Sequence, residues 1–241
     1  MNEFQVLSER LREVMLEEHI AVHPQRNPVL QNLNGFDATQ MTSILQQYSI
    51  LPKAFVVLLE ALRDQAAVAG WGIAVQELND NLAEELGGKT QGIAHADLLA
   101  EGLELCLQVP VKMTVPSTAT AAFLERLEII PHLSIAYAFG AAYAIEATAV
   151  PELKIIIQLL ELLLEGAMPE RLQYFFDMHL NAWEPEHEAD LRKAIASHLQ
   201  ADQFSTFALG FRTMMTMMDA WWSGLAAEAM TQQAVKSVSR G

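Results

Sequence analysis

Cysteine is nearly absent: Cys106 stands alone in 241 residues. One thiol, set among the leucines of 103–107, rules out an intramolecular disulfide framework and suits a reducing compartment. Basic residues are scarce too, 15 against 30 acidic ones, for a formal net charge of −15. Such a surface repels nucleic acid, and no basic stripe interrupts it. Glycine (12) and proline (9) are too few, and apolar residues (51%) too many, for a disordered or fibrous chain. An uninterrupted hydrophobic run is also missing. The most apolar stretch, residues 129–150, carries Glu146 and several small side chains, whereas a span needs roughly 20 consecutive apolar residues. The first residues mix charges from Glu3 onward, unlike a secretory leader. Together these absences predict a cytoplasmic protein with no membrane span and no nucleic-acid partner.

What is present is helical periodicity, with no alternating runs around Asn-Gly turns to suggest hairpins. Leu7, Leu11, Val14 and Met15 share one face of a helix expected over 4–19, and a Pro- and Asn-rich irregular segment follows at 23–35. Asp37 and Gln40 form a capping pair for 38–48. Further helices are expected over 52–69, 71–86 (stopped by Gly87-Gly88), 95–108 and 118–127 (capped by Ser117). Pro151 is expected to close a helix over 131–149 and to open another over 152–165. Asp202 is expected to cap the last helix, ending near 229, with 231–241 as a polar tail. Eight to ten helices without a linker or repeat predict an all-α, single-domain bundle over 1–230.

Glu146 is the formally charged residue of an otherwise apolar helix. Desolvating a lone carboxylate costs several kcal/mol unless a partner compensates it. It is either paired with Lys or Arg, placed at a wet edge, or a metal ligand. Residues 175–190 gather two histidines, His179 and His187, with five carboxylates. Facing inward they would form a wall of a metal site; facing outward, a solvated helix end with acids complementing the dipole. On a regular helix His187 lies about 80° and Glu184 about 140° from His179. One extra residue taken up as a π-bulge brings all three to one face, and Pro185, lacking an amide hydrogen, offers a cause. Glu85 ends one helix and His95 begins the next, across the glycine pair. Tyr143, one turn before Glu146, and Asp190 are candidate cavity-lining residues. His19 and His23 read as surface groups, and Met214–Met218 with Trp221-Trp222 as core or dimer surface.

Four stretches in this order resemble the heme-oxygenase-like dimetal oxidases, in particular relatives of the Chlamydia protein associating with death domains and their cyanobacterial members. They are Asn81-Leu-Ala-Glu-Glu85, His95-Ala-Asp97-Leu-Leu, Ala141-Ala-Tyr-Ala-Ile-Glu146 with Pro151, and Tyr174-Phe-Phe-Asp-Met-His179 through His187. The resemblance implies a heme-oxygenase-like multi-helix bundle holding two iron ions, or manganese and iron, without heme. It implies Glu85, His95, Glu146, His179, Glu184 and His187 as metal ligands, dioxygen as cosubstrate, and a small organic substrate or one of the protein's own side chains as the group oxidised. The interval from His179 to the acid is one residue longer than the family pattern, leaving Glu186 or Asp190 as alternatives to Glu184. The tyrosines that the chlamydial protein is thought to sacrifice have no evident counterparts. A metal-free enzyme of the PqqC or thiaminase II type, a non-catalytic binding protein, and a homodimer joined through the Met-rich helix complete the expectations.

Overall fold

The computed structural model describes residues 3–164 and 166–238, and among these every regular element is helical. In chain order the helices are α1 (Glu3–Glu18), α2 (Pro28–Gln31), α3 (Ala38–Tyr48), α4 (Leu51–Val68), α5 (Gly72–Glu85) and α6 (His95–Leu107). They continue as α7 (Thr118–Ile129), α8 (Ile135–Leu163), α9 (Glu170–Met178), α10 (Glu184–Ala196) and α11 (Phe204–Val238). A π-helical segment, His179–Trp183, joins α9 to α10. The chain is thus an all-α, multi-helix single domain.

Two long helices, α8 and α11, form the axis, and they pack at backbone distance. A Cβ on Gly140 would stand 2.0 Å from the Phe207 carbonyl oxygen, and one on Gly210 would stand 2.0 Å from that of Tyr137. Only glycine permits this approach at either position, so the contact is written reciprocally into both helices. Around it α11 buries Met214, Met215, Met217, Met218, Trp221 and Trp222. Each such side chain removed from water contributes about 1.5–3 kcal/mol. These methionines therefore fill core.

Sequence-level capping holds where local chemistry decides. Asp37 and Gln40 make a reciprocal capping box, and Ser117 accepts from Thr120 N. It fails at Pro151, which lies inside a continuous α8. One missing amide hydrogen removes one ladder bond, while burial of Leu153, Ile155, Ile156, Leu159 and Leu160 beyond it holds the helix on course. Residues 231–238, expected as tail, continue α11; 239–241 lie outside the described residues. Gln200 and Gln203, rather than Asp202, provide the capping pair before α11. His19 is no free surface group either: its Nδ1 lies 2.7 Å from Asp219 Oδ2, tying the end of α1 to α11.

No described helix is long and apolar enough to cross a membrane.

Candidate metal centre

Three structural devices deliver side chains to one region of the interior. The first is the turn after α5. Gly87 takes φ +104°, and a Cβ there would come within 2.7 Å of the backbone at Gly92 and Ile93. Folded back this tightly, the chain sets His95 Nδ1 3.0 Å from Glu85 Oε1 although the residues are ten apart. The second is α8, which carries Glu146 through the core. The third is the π-helical segment: Glu184 N donates to the His179 carbonyl, five residues back rather than four. The extra residue turns His179, Glu184 and His187 to the same side, as the spacing argument requires.

The outcome is two groups of three. Glu85, His95 and His179 form one; Glu146, Glu184 and His187 form the other. Within each, one potential ligand atom per residue lies within 4.8 Å of the other two. All six border one cavity, whose remaining wall is mostly apolar and includes Leu51, Phe55, Leu59 and Leu99. A second cavity beside Arg12 and Glu188 reaches Glu146 and Glu184 from the α1 side.

The imidazoles are oriented by their neighbours. His179 Nδ1 donates to the Phe175 carbonyl at 2.6 Å, which fixes the tautomer and makes Nε2 the basic nitrogen. Its ring meets that of His95 edge-on, with centroids 4.8 Å apart. His187 Nε2 lies 3.3 Å from Glu84 Oε2, and Glu84 is also paired with Lys89. Asn81 Nδ2 donates to Glu146 Oε1 at 3.1 Å.

Electrostatically the groups differ. Burial raises Glu85, but the hydrogen bond and charge of His95, with His179 and His187 nearby, outweigh it and hold the carboxyl below its ordinary range. Burial drives Glu146 upward, opposed by His187 and abetted by Glu85. Burial likewise drives Glu184 well upward, with Glu146 and Glu85 adding to the rise. Glu184 keeps some accessible surface because it faces the cavity, yet it lies deep enough for desolvation to dominate. His179 is pushed down to about 4, chiefly by burial. No Lys or Arg lines the cavity among the described residues.

The alternatives to Glu184 are elsewhere: Glu186 is exposed, and Asp190 pairs with Lys193. Tyr143 and Asp190 are not among the cavity's lining residues. Tyr143 faces the other way round α8, where its hydroxyl donates to Glu188 Oε1 at 3.0 Å. The cavity tyrosine is Tyr48, and beside it stands Glu152, 3% exposed, accepting from Trp222 Nε1 at 2.7 Å. Glu152 is hidden in the sequence by Pro151, which reads as a helix start where an acid is commonplace. Six residues after Glu146 it lies about 120° round a regular helix from it, so spacing gives no signal either.

Among curated proteins none matches the chain. Two crystal structures, at 2.00 and 1.35 Å resolution, of a CADD-like protein of unknown function from Nostoc punctiforme are similar throughout. One is 44% identical, with TM-score 0.91, over 94% of this chain and 98% of that one. The other is 43% identical, with TM-score 0.90, over 95% and 97%. A family model described as "Domain of Unknown Function with solved-structure structure (DUF3865)" matches residues 5–228. At that coverage, and with a CADD-like relative alike in both sequence and fold, the chain belongs to the DUF3865 family.

Proposed function

We propose that the protein is a metal-dependent oxidoreductase that holds two iron ions, or manganese and iron, and uses dioxygen to oxidise a small organic substrate in the apolar cavity. The observation that carries this is the division of six donors, buried or half-buried, into two groups of three on one cavity. Their chemistry fits the ions. The first group offers two imidazoles and one carboxylate, a donor set suited to non-heme iron, and the second offers two carboxylates and one imidazole. Burial raises Glu146 and Glu184, and no Lys or Arg among the described residues lines the cavity to compensate them. A bound cation supplies what the interior lacks.

Reduced iron bound there would supply the electrons for dioxygen activation. The chain's own residues do the rest. Phe175 O and Glu84 orient His179 and His187, and Asn81 holds Glu146 Oε1 in place. Leu51, Phe55 and Leu59 exclude water from the wall facing the donors, so that a reactive species meets substrate before solvent. The heme-oxygenase-like relationship and the absence of heme belong to the same proposal.

The test is anaerobic loading with ferrous iron, metal analysis, and then oxygen uptake. The proposal expects about two ions per chain, oxygen consumption by the loaded protein, and, in His179→Ala, a fall toward one ion with loss of oxygen consumption. No stoichiometric metal, or uptake unchanged by His179→Ala, would contradict it.

A further inference from the structure

Glu152 is the buried acid that the ligand set does not use. It lines the same cavity as the six donors, and its single hydrogen bond among the described residues is to Trp222 through Oε1. Oε2 remains for a ligand. No Lys or Arg among the described residues lines the cavity beside it, and the charge that acts on it is that of Asp219, itself held by His19. Burial accordingly pushes the Glu152 carboxyl up to about 8. Tyr48, also buried and lining the cavity, lies within electrostatic reach of both Glu152 and Glu184, so its ring shares a wall with the fourth acid and with the donors.

We propose that Glu152 recognises an ammonium group on the substrate, so that the cavity takes short aliphatic primary amines. A carboxyl in an apolar wall without Lys or Arg is costly to ionise alone, and a ligand that brings its own positive charge removes that cost through a charge-assisted hydrogen bond. A carboxylate ligand meets the opposite situation, since no basic side chain lines the cavity to receive it. Glu152 and Glu146 are six residues apart on α8, or about 9 Å along its axis. An amine seated at Glu152 therefore lays a chain of a few carbon atoms along Tyr48 and Leu59 toward the donors. This rests on the metal reading in one respect: the ions claim the other three carboxylates and leave Glu152 as the available acid.

The test is calorimetric titration of the anaerobic, iron-loaded protein with n-hexylamine, 1-hexanol and hexanoate, with metal content measured on the same samples. Hexylamine is expected to bind roughly tenfold or more tighter than hexanol, as a charged hydrogen bond warrants, and hexanoate more weakly than either. Glu152→Gln keeps an acceptor for Trp222 and is expected to erase the preference while hexanol affinity stands. Glu152→Met, apolar and of similar reach, is a second variant with the same expectation. Equal affinity for amine and alcohol in the wild type overturns the inference even if neither variant folds. So does a preference that survives in either variant. Two ions per chain with no amine preference counts against Glu152 alone; failure to take up metal counts against the metal centre, whichever ligand binds.

Discussion

The two donor groups share a cavity but solve opposite electrostatic problems. Glu85, His95 and His179 carry more imidazole than acid, and their one carboxyl is held below its ordinary range by the histidine beside it. Glu146, Glu184 and His187 carry more acid than imidazole, and both carboxyls are pushed upward by burial and by Glu85, Glu184 by Glu146 as well. Identical residue types thus behave differently because of who stands next to them. The first group is compensated from within the chain; the second depends on a proton or a cation from outside.

Removing one histidine from each group breaks the comparison most severely. His95→Ala is expected to abolish one ion and spare the other, and His187→Ala the reverse, each read as a fall from two equivalents toward one by metal analysis. Loss of both ions in either variant would show that the groups bind as one unit.

Neutralising one acid in each group gives effects of opposite sign on the metal-free protein. Glu85→Gln weakens a charge-assisted bond to His95 and is expected to cost about 1.5–3 kcal/mol in denaturant unfolding. Glu184→Gln removes a buried acid that repels Glu146, and is expected to leave stability unchanged or raise it by about 1 kcal/mol. Both should lower the stabilisation that added metal confers. Equal destabilisation by the two would erase the distinction between the groups.

A further effect follows from pH. The folded Glu152 carboxyl is raised to about 8, so the folded state holds its proton more tightly than the unfolded chain does. Its contribution is whole below the ordinary value of 4.5 and is lost as pH rises through about 8. The melting temperature of metal-free protein should therefore decline across that window, and Glu152→Gln should flatten the decline. An unchanged slope in the variant would place the titration elsewhere.

Much of this was legible in the sequence because a few residues declare themselves locally. Asp37 and Gln40 announce a cap, and Glu146 announces a cost that something must offset. The awkward five-residue interval from His179 to Glu184 announces a π-turn before any coordinates do. What was illegible depends on tertiary context. Pro151 reads as a break unless the burial beyond it is known, and that misreading concealed Glu152. Tyr143 precedes Glu146 by one turn, yet its hydroxyl goes to Glu188, because only packing against α10 and α11 decides which way it faces. Tyr48 gave no signal of its own; α3 presents it to a cavity whose chemistry lies on other helices.

The least disruptive change tests the π-segment. Asn181 is exposed, and its deletion would return the segment to regular helix with spacings of four and seven between His179, the acid and the second histidine. Those spacings keep one face, so metal content should persist within error. Loss of metal on deletion would mean that the bulge sets finer geometry than facing alone.

The most direct test of the two-group account is anomalous diffraction at the iron absorption edge, from crystals loaded anaerobically with ferrous iron. Two separate peaks are predicted, one bounded by Glu85, His95 and His179 and the other by Glu146, Glu184 and His187. One peak, none, or an ion seated away from either group would contradict it.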